Sequence, residues 1–218
     1  MNTFKVMVVE DHPMFRERLV ELIDRESDMQ VCAEADNIRD AFDIAVREEP
    51  DLAVLDVSLK GCSGLELIKN FKAASLEIPV LVLSMHDEAL YAERVLRAGG
   101  RGYVTKHEAS AQIMTAIRRV IGGEIVVSPK ATTKIFAALS NNRGPTSGVD
   151  RLTDRELEVF ELIGRGRTTG EISIRLNLSG ATVETYRARI KQKLGLENAS
   201  RLHEEATRWL HESQKAQA

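Results

Sequence analysis

The chain is short of several things that would point to particular classes of protein. Two cysteines in 218 residues, Cys32 and Cys62, make no disulfide framework; they fit a reducing compartment, where each packs as a small hydrophobe. No apolar run is long enough to span a bilayer, because charges interrupt every one. The opening Met1-Asn2-Thr3-Phe4-Lys5 does not read as a secretory leader, so the expected location is the cytoplasm, away from membranes. A net charge of −3 excludes a uniformly basic nucleic-acid coat, though not a local one. No glycine-rich fingerprint follows the first strand, which argues against a dinucleotide enzyme. There is no internal repeat, and the only loose tract is Asn141 to Gly148, a linker by composition.

What is present falls into two halves. Up to about residue 126, apolar runs alternate with helical patterns. Phe4 to Val9 ends in Glu10-Asp11, and Pro13 then opens a helix carrying Phe15, Leu19, Leu22 and Ile23. Gln30 to Ala33 leads to a helix with Ala41, Ile44 and Ala45. Leu52 to Asp56 precedes a helix from about Leu65 to Ala74. Val80 to Leu83 ends at Ser84 and is followed by a helix with Leu90, Val95 and Leu96; Gly100 and Gly102 then punctuate before Tyr103-Val104-Thr105-Lys106, and a last helix carries Ile113, Ile117, Val120 and Ile121. Five strands alternating with five helices predict an α/β fold with a doubly wound, five-stranded parallel sheet. Ligands of such sheets bind beyond the carboxyl ends of the strands. Those ends carry Glu10, Asp11, Asp56, Ser84 and Lys106. Asp56 alone would be read as the cap of a turn. Three acids, a hydroxyl and an ammonium at one edge are read as a hard-cation site beside a nucleophilic carboxylate, with Mg²⁺ the best fit. His12 and His86 are expected to be a loop residue and a solvated residue, because imidazole is a poor Mg²⁺ ligand.

The second half reads as helices. Residues 127–149 form a connector with a possible short helix at Pro129 to Ser140. Residues 150–218 give four helices with start signals at Thr153/Glu156, Thr168/Glu171, Ser179 and Asn198. A tight turn at Asn177 to Gly180 joins the second and third, a helix-turn-helix arrangement spanning about Thr169 to Ala188. Acidic and basic residues nearly balance here, but Arg187, Arg189, Lys191 and Lys193 concentrate positive charge on the third helix. In a major groove these would face phosphates and leave Glu184, Thr185 and Ala188 near base edges.

The motifs Val8-Val9-Glu10-Asp11-His12-Pro13, Val54-Leu55-Asp56, Leu83-Ser84 and Gly102-Tyr103-Val104-Thr105-Lys106 resemble the receiver domain of bacterial two-component response regulators. Leu152 to Val159, Glu171-Ile172 and Ser179 to Leu194 look like a LuxR-type helix-turn-helix domain, and the combination resembles the NarL/FixJ family over nearly the whole chain. The resemblance implies a flavodoxin-like receiver (strand order 2-1-3-4-5, residues 1–126) and a small all-α DNA-binding domain (residues 150–218). Asp56 becomes the phosphoacceptor, with Mg²⁺ held by Glu10, Asp11, Asp56 and the Ser58 backbone carbonyl. Ser84, Tyr103 and Lys106 become the phosphate-sensing hydroxyl, the aromatic switch and the phosphate-binding cation. DNA contacts fall on Thr168, Thr169, Thr182, Val183, Glu184, Thr185, Arg187, Ala188, Arg189 and Lys191. The implied partners are a sensor histidine kinase, double-stranded DNA and a second copy of the chain. It is a regulator that assists its own phosphorylation and dephosphorylation, not an enzyme with a substrate of its own. A Mg²⁺-dependent aspartyl phosphatase is disfavoured because Ser58 stands where a second acid would be needed. A regulator that binds DNA without phosphorylation would need the same residues. Six residues, at four places in the chain, depart from the family pattern. Lys60 and His107 replace frequent prolines, Thr168-Thr169-Gly170 replaces Ser-Asn-Lys, and Glu184 replaces a frequent lysine.

Overall fold

The structure is a computed structural model that describes residues 3–59, 62–86, 88–108, 110–140 and 148–215. Lys60 and most of the linker tract, residues 141–147, lie outside the described residues. By its internal contacts the chain divides into two units, Met1–Ala137 and Ala138–Ala218.

In the first unit, β1 (Phe4–Val9), α1 (Pro13–Asp24), β2 (Met29–Ala35), α2 (Ile38–Glu48), β3 (Leu52–Asp56), α3 (Leu65–Ala73), β4 (Val80–Ser84), α4 (Glu88–Ala98), β5 (Gly102–Thr105) and α5 (Ser110–Ile121) alternate. The strands form one five-stranded sheet in the order β2-β1-β3-β4-β5, every pair parallel. The expected fold and strand order are therefore observed. Strands β3 and β4 are buried along their whole length. That is why their sequences are unbroken apolar runs instead of alternating ones. One face packs Val6, Val8, Val54 and Leu83 against Leu19 and Ile23 of α1 and Ile113 and Ile117 of α5. Each such side chain contributes roughly 1.5–3 kcal/mol by leaving water.

Helix starts follow the sequence signals. Pro13 opens α1, and Asn37 caps α2 by accepting from the Asp40 amide at 3.0 Å. Cys32 on β2 is half-buried, and burial pushes its thiol above the ordinary value. After α5 the chain returns to the sheet. The Tyr103 amide donates to the Val126 carbonyl at 2.8 Å and the Val126 amide donates to the Arg101 carbonyl at 2.9 Å, so Val126 covers the open edge of β5. Gly102 makes this possible, since a Cβ there would lie 2.8 Å from the Leu81 side chain and 3.0 Å from the Val126 carbonyl oxygen. Ser128 then starts α6 (Pro129–Ser140); its amide donates to Glu88 Oε1 at 2.7 Å, and its hydroxyl accepts from the Ala131 amide at 3.1 Å.

The second unit follows a short 3₁₀ turn, Gly148–Arg151, with α7 (Asp154–Gly164), α8 (Thr169–Leu176), α9 (Gly180–Leu194) and α10 (Ala199–Lys215). Both capping boxes form: Thr153 with Glu156, and Thr168 with Glu171. Ser179 caps α9 and Asn198 caps α10 through the Thr182 and Arg201 amides, each at 3.0 Å. Helix α7 packs on α9 and α10, with the Phe160 and Trp209 rings 5.5 Å apart, and α8 packs on α9. Among the described residues no helix is long and apolar enough to cross a membrane.

Candidate functional site

Parallel strands deliver their carboxyl ends to one edge, and the polar residues that end β1, β3, β4 and β5 meet there. Glu10 and Asp56 are only 2% and 4% exposed. Two carboxylates so far from water are costly unless a cation accompanies them. Lys106 supplies it. Its side chain is 5% exposed, and its ammonium donates to Glu10 Oε2 at 2.6 Å and to Asp56 Oδ2 at 2.7 Å. The ammonium also stands 4.5 Å from the centre of the Phe15 ring on α1, whose π-face adds to its stabilisation. One ammonium does not balance the site. Burial first, then the neighbouring Asp56 carboxylate, pushes the Glu10 carboxyl above its ordinary value, against the pull of Lys106.

Asp11 completes the acidic group. Candidate ligand atoms of Glu10, Asp11, His12 and Asp56 all lie within 4.8 Å of one another. His12 is 74% exposed, with Nδ1 3.0 Å from Asp11 Oδ1, in keeping with a loop residue. The three carboxylates offer hard oxygen donors and an excess of negative charge over Lys106, which is the chemistry a small divalent cation requires.

The other expected residues surround this group. Ser84 is fully buried, and its hydroxyl accepts from the His86 amide at 3.2 Å. Tyr103 is buried too, with its hydroxyl donating to the His86 carbonyl at 2.8 Å. Ser58 begins a small antiparallel hairpin, Ser58–Leu59 with Cys62–Ser63, and its hydroxyl lies 2.8 Å from His86 Nε2.

His86 corrects the expectation of a solvated side chain. It is half-buried, its ring 4.7 Å from that of Tyr91, and it joins Ser58, Ser84 and Tyr103. The sequence carried a faint signal, a histidine two residues past a strand-end serine. Gly64 was also missed. The hairpin folds back so closely that a Cβ there would lie 2.1 Å from the Asp56 carbonyl oxygen, which makes glycine obligatory. Phe15 was legible as core but not as the ring beneath Lys106.

In the second unit, the residues expected to meet DNA lie along the start of α8 and on α9. Thr168 and Thr169 stand at the α8 N-terminus, and Glu184, Thr185, Ala188 and Arg189 are exposed on α9. Thr182 and Lys191 are half-buried, and Arg187 lies 3.5 Å from Glu184. Val183 is 0% exposed, so it braces α9 from beneath instead of facing a ligand. Lys193 donates to Glu156 Oε2 at 2.6 Å, tying α9 to the α7 capping box. Burial opposes the charge on Glu156, yet Lys193 and Thr153 hold its carboxyl below the ordinary value.

Comparison with known proteins adds two family matches: the response regulator receiver domain over residues 6–118 and the luxR family of bacterial regulatory proteins over residues 150–206. The chain is 31% identical to the oxygen regulatory protein NreC of Staphylococcus carnosus, over 93% of this chain and 96% of the relative. It is 30% identical to the nitrate/nitrite response regulator NarL of Escherichia coli K12, over 95% and 94%. A solved LuxR-family two-component response regulator from Aurantimonas superposes with a TM-score of 0.59 at 30% identity, covering 64% of this chain and 99% of that one.

The raised Glu10 carboxyl gives a test of this charge balance. A carboxyl whose folded value is raised weakens the fold as pH climbs through the interval above its ordinary 4.5. Glu10→Gln, assayed in chelator, is expected to raise the urea midpoint at neutral pH, with the gap from the parent closing as pH falls below that interval. A lower midpoint at neutral pH would contradict the charge balance described above.

Proposed function

Because the chain belongs to the NarL/FixJ family of two-component response regulators, a receiver followed by a LuxR-type DNA-binding domain, we propose that Asp56 is its phosphoacceptor and that the acyl phosphate controls DNA binding. The observation that carries this reading is Lys106 held 2.6 Å from Glu10 and 2.7 Å from Asp56.

A phosphohistidine of the sensor kinase is the donor. An Asp56 carboxylate oxygen attacks phosphorus in line; the O–P bond forms as the N–P bond breaks, and its electron pair leaves with the imidazole. The Lys106 ammonium and the Ser84 hydroxyl donate to the phosphoryl oxygens, where negative charge is concentrated. Glu10, Asp11 and Asp56 with the Ser58 backbone carbonyl would hold Mg²⁺, which would supply further positive charge to the same oxygens.

The consequence travels through bonds already in place. Turning the Ser84 hydroxyl toward a phosphoryl group withdraws the acceptor of the His86 amide, and the His86 carbonyl holds Tyr103. The Tyr103 amide holds Val126, and Glu88 of α4 holds Ser128, so the connector to the second unit is fastened to the elements that would move. In the second unit, α9 enters the major groove with α8 over the backbone, and two copies pair on half-sites, α10 offering the surface between them.

Two outcomes check this reading. With a small phosphodonor and Mg²⁺, the parent chain is expected to gain one hydroxylamine-labile phosphate and Asp56→Asn none; undiminished labelling of the variant would remove Asp56 from the role. Arg189→Ala is expected to weaken DNA binding uniformly across sequences and to lower the slope of log K against log salt by about 0.9. An unchanged slope would take Arg189 off the phosphates.

A further inference from the structure

Glu184 is an acid on the helix read here as entering DNA, where phosphates repel it. It lies one turn into α9, is 60% exposed, and is nonetheless held. Thr169, on the first turn of α8, donates its hydroxyl to Glu184 Oε1 at 2.7 Å, and Arg187 Nε stands 3.5 Å from the same oxygen. Both contacts use Oε1, which leaves Oε2 to accept from outside the chain. A carboxylate braced from a second helix has already lost much of the rotamer freedom that a binding partner would otherwise have to remove.

The surrounding face suits a close approach. Ala181 and Ala188 stand about one turn before and after Glu184, exposed and small, so the helix can lie near base edges. Thr185 is exposed between them, but its hydroxyl proton is given to the Ala181 carbonyl at 2.9 Å, on its own helix, so it carries no charge and has no donor left for a base. Glu184 is therefore the one anion on this strip, and it needs a hydrogen-bond donor. In the major groove guanine shows only acceptors and thymine an acceptor and a methyl group. Adenine sets its amino group beside the N7 acceptor, which repels a carboxylate. Cytosine shows an amino donor with no acceptor of its own beside it.

We infer that Glu184 is a specificity-determining residue that accepts a hydrogen bond from the N4 amino group of a cytosine in the major groove, positioned for it by Thr169 and Arg187. The inference rests on the reading of α9 as the DNA-contacting helix.

The test selects bound duplexes from a random pool with the full chain, acetyl phosphate and Mg²⁺, and repeats this with Glu184→Ala, Glu184→Gln and Thr169→Val. The parent chain is expected to enrich a motif with one position fixed as C·G. Glu184→Ala should reduce the preference at that position about tenfold and leave the other positions unchanged. Glu184→Gln should move the preference to adenine, which glutamine matches in bidentate fashion. Thr169→Val should blunt discrimination several-fold without relocating it. If Glu184 only ties α8 to α9, Glu184→Ala will lower the thermal midpoint and weaken all sequences alike with the same motif, and the inference is overturned. If the parent chain enriches no motif at all, the reading of α9 fails first, and the inference falls with it.

Discussion

The strand-end site turns on a single ammonium group with too much to do. Lys106 lies between Glu10 and Asp56, both almost fully buried, with Asp11 close by. A buried ion pair of this kind adds little net stability, but removing Lys106 would leave two carboxylates stranded out of water. The excess of negative charge cannot be dispersed, because the parallel sheet brings the ends of β1 and β3 together whatever they carry. A receiver built this way keeps a standing demand for positive charge at one point. A divalent cation would meet that demand, and on the proposed reading a phosphoryl group brought there would share its charge with the cation and Lys106.

The neighbouring features protect that arrangement or report on it. Phe15 covers the ammonium from α1, and Gly64 lets the hairpin close over the Asp56 carbonyl. His86 ties the chain after Ser84 to both Ser58 and Tyr103, while Val126 and Ser128 fasten the connector to β5 and α4. A change in charge at Asp56 thus has short, hydrogen-bonded steps to follow out of the site.

Much of this was legible in the sequence because it is written locally. Strands β3 and β4 are unbroken apolar runs, β1, β3, β4 and β5 each lead into the residue they deliver to the site, and the helix starts are marked by Pro13, Asn37, Thr153, Thr168, Ser179 and Asn198. What was missed depends on how distant segments meet. Nothing near Phe15 says that Lys106, 91 positions later, will lie over its ring (106 − 15 = 91). His86 looks like an exposed loop residue until the hairpin at Ser58 folds toward it. Gly64 looks like an ordinary turn glycine until the chain doubles back on Asp56. The inward turn of Val183 on α9, by contrast, is local and follows from its helical spacing with Ile190. Glu184 reads in the sequence as a residue near base edges, but the brace from Thr169 comes from another helix and could not be read from spacing.

The most direct measurement is amide hydrogen exchange at His86, before and after stoichiometric phosphorylation of the intact chain with Mg²⁺ present. That amide now donates to the Ser84 hydroxyl. If the hydroxyl turns to the phosphoryl group on Asp56, the His86 amide should lose protection in the phosphorylated chain and keep it in Asp56→Asn treated the same way. Unchanged exchange at His86 in a fully phosphorylated chain would contradict the account.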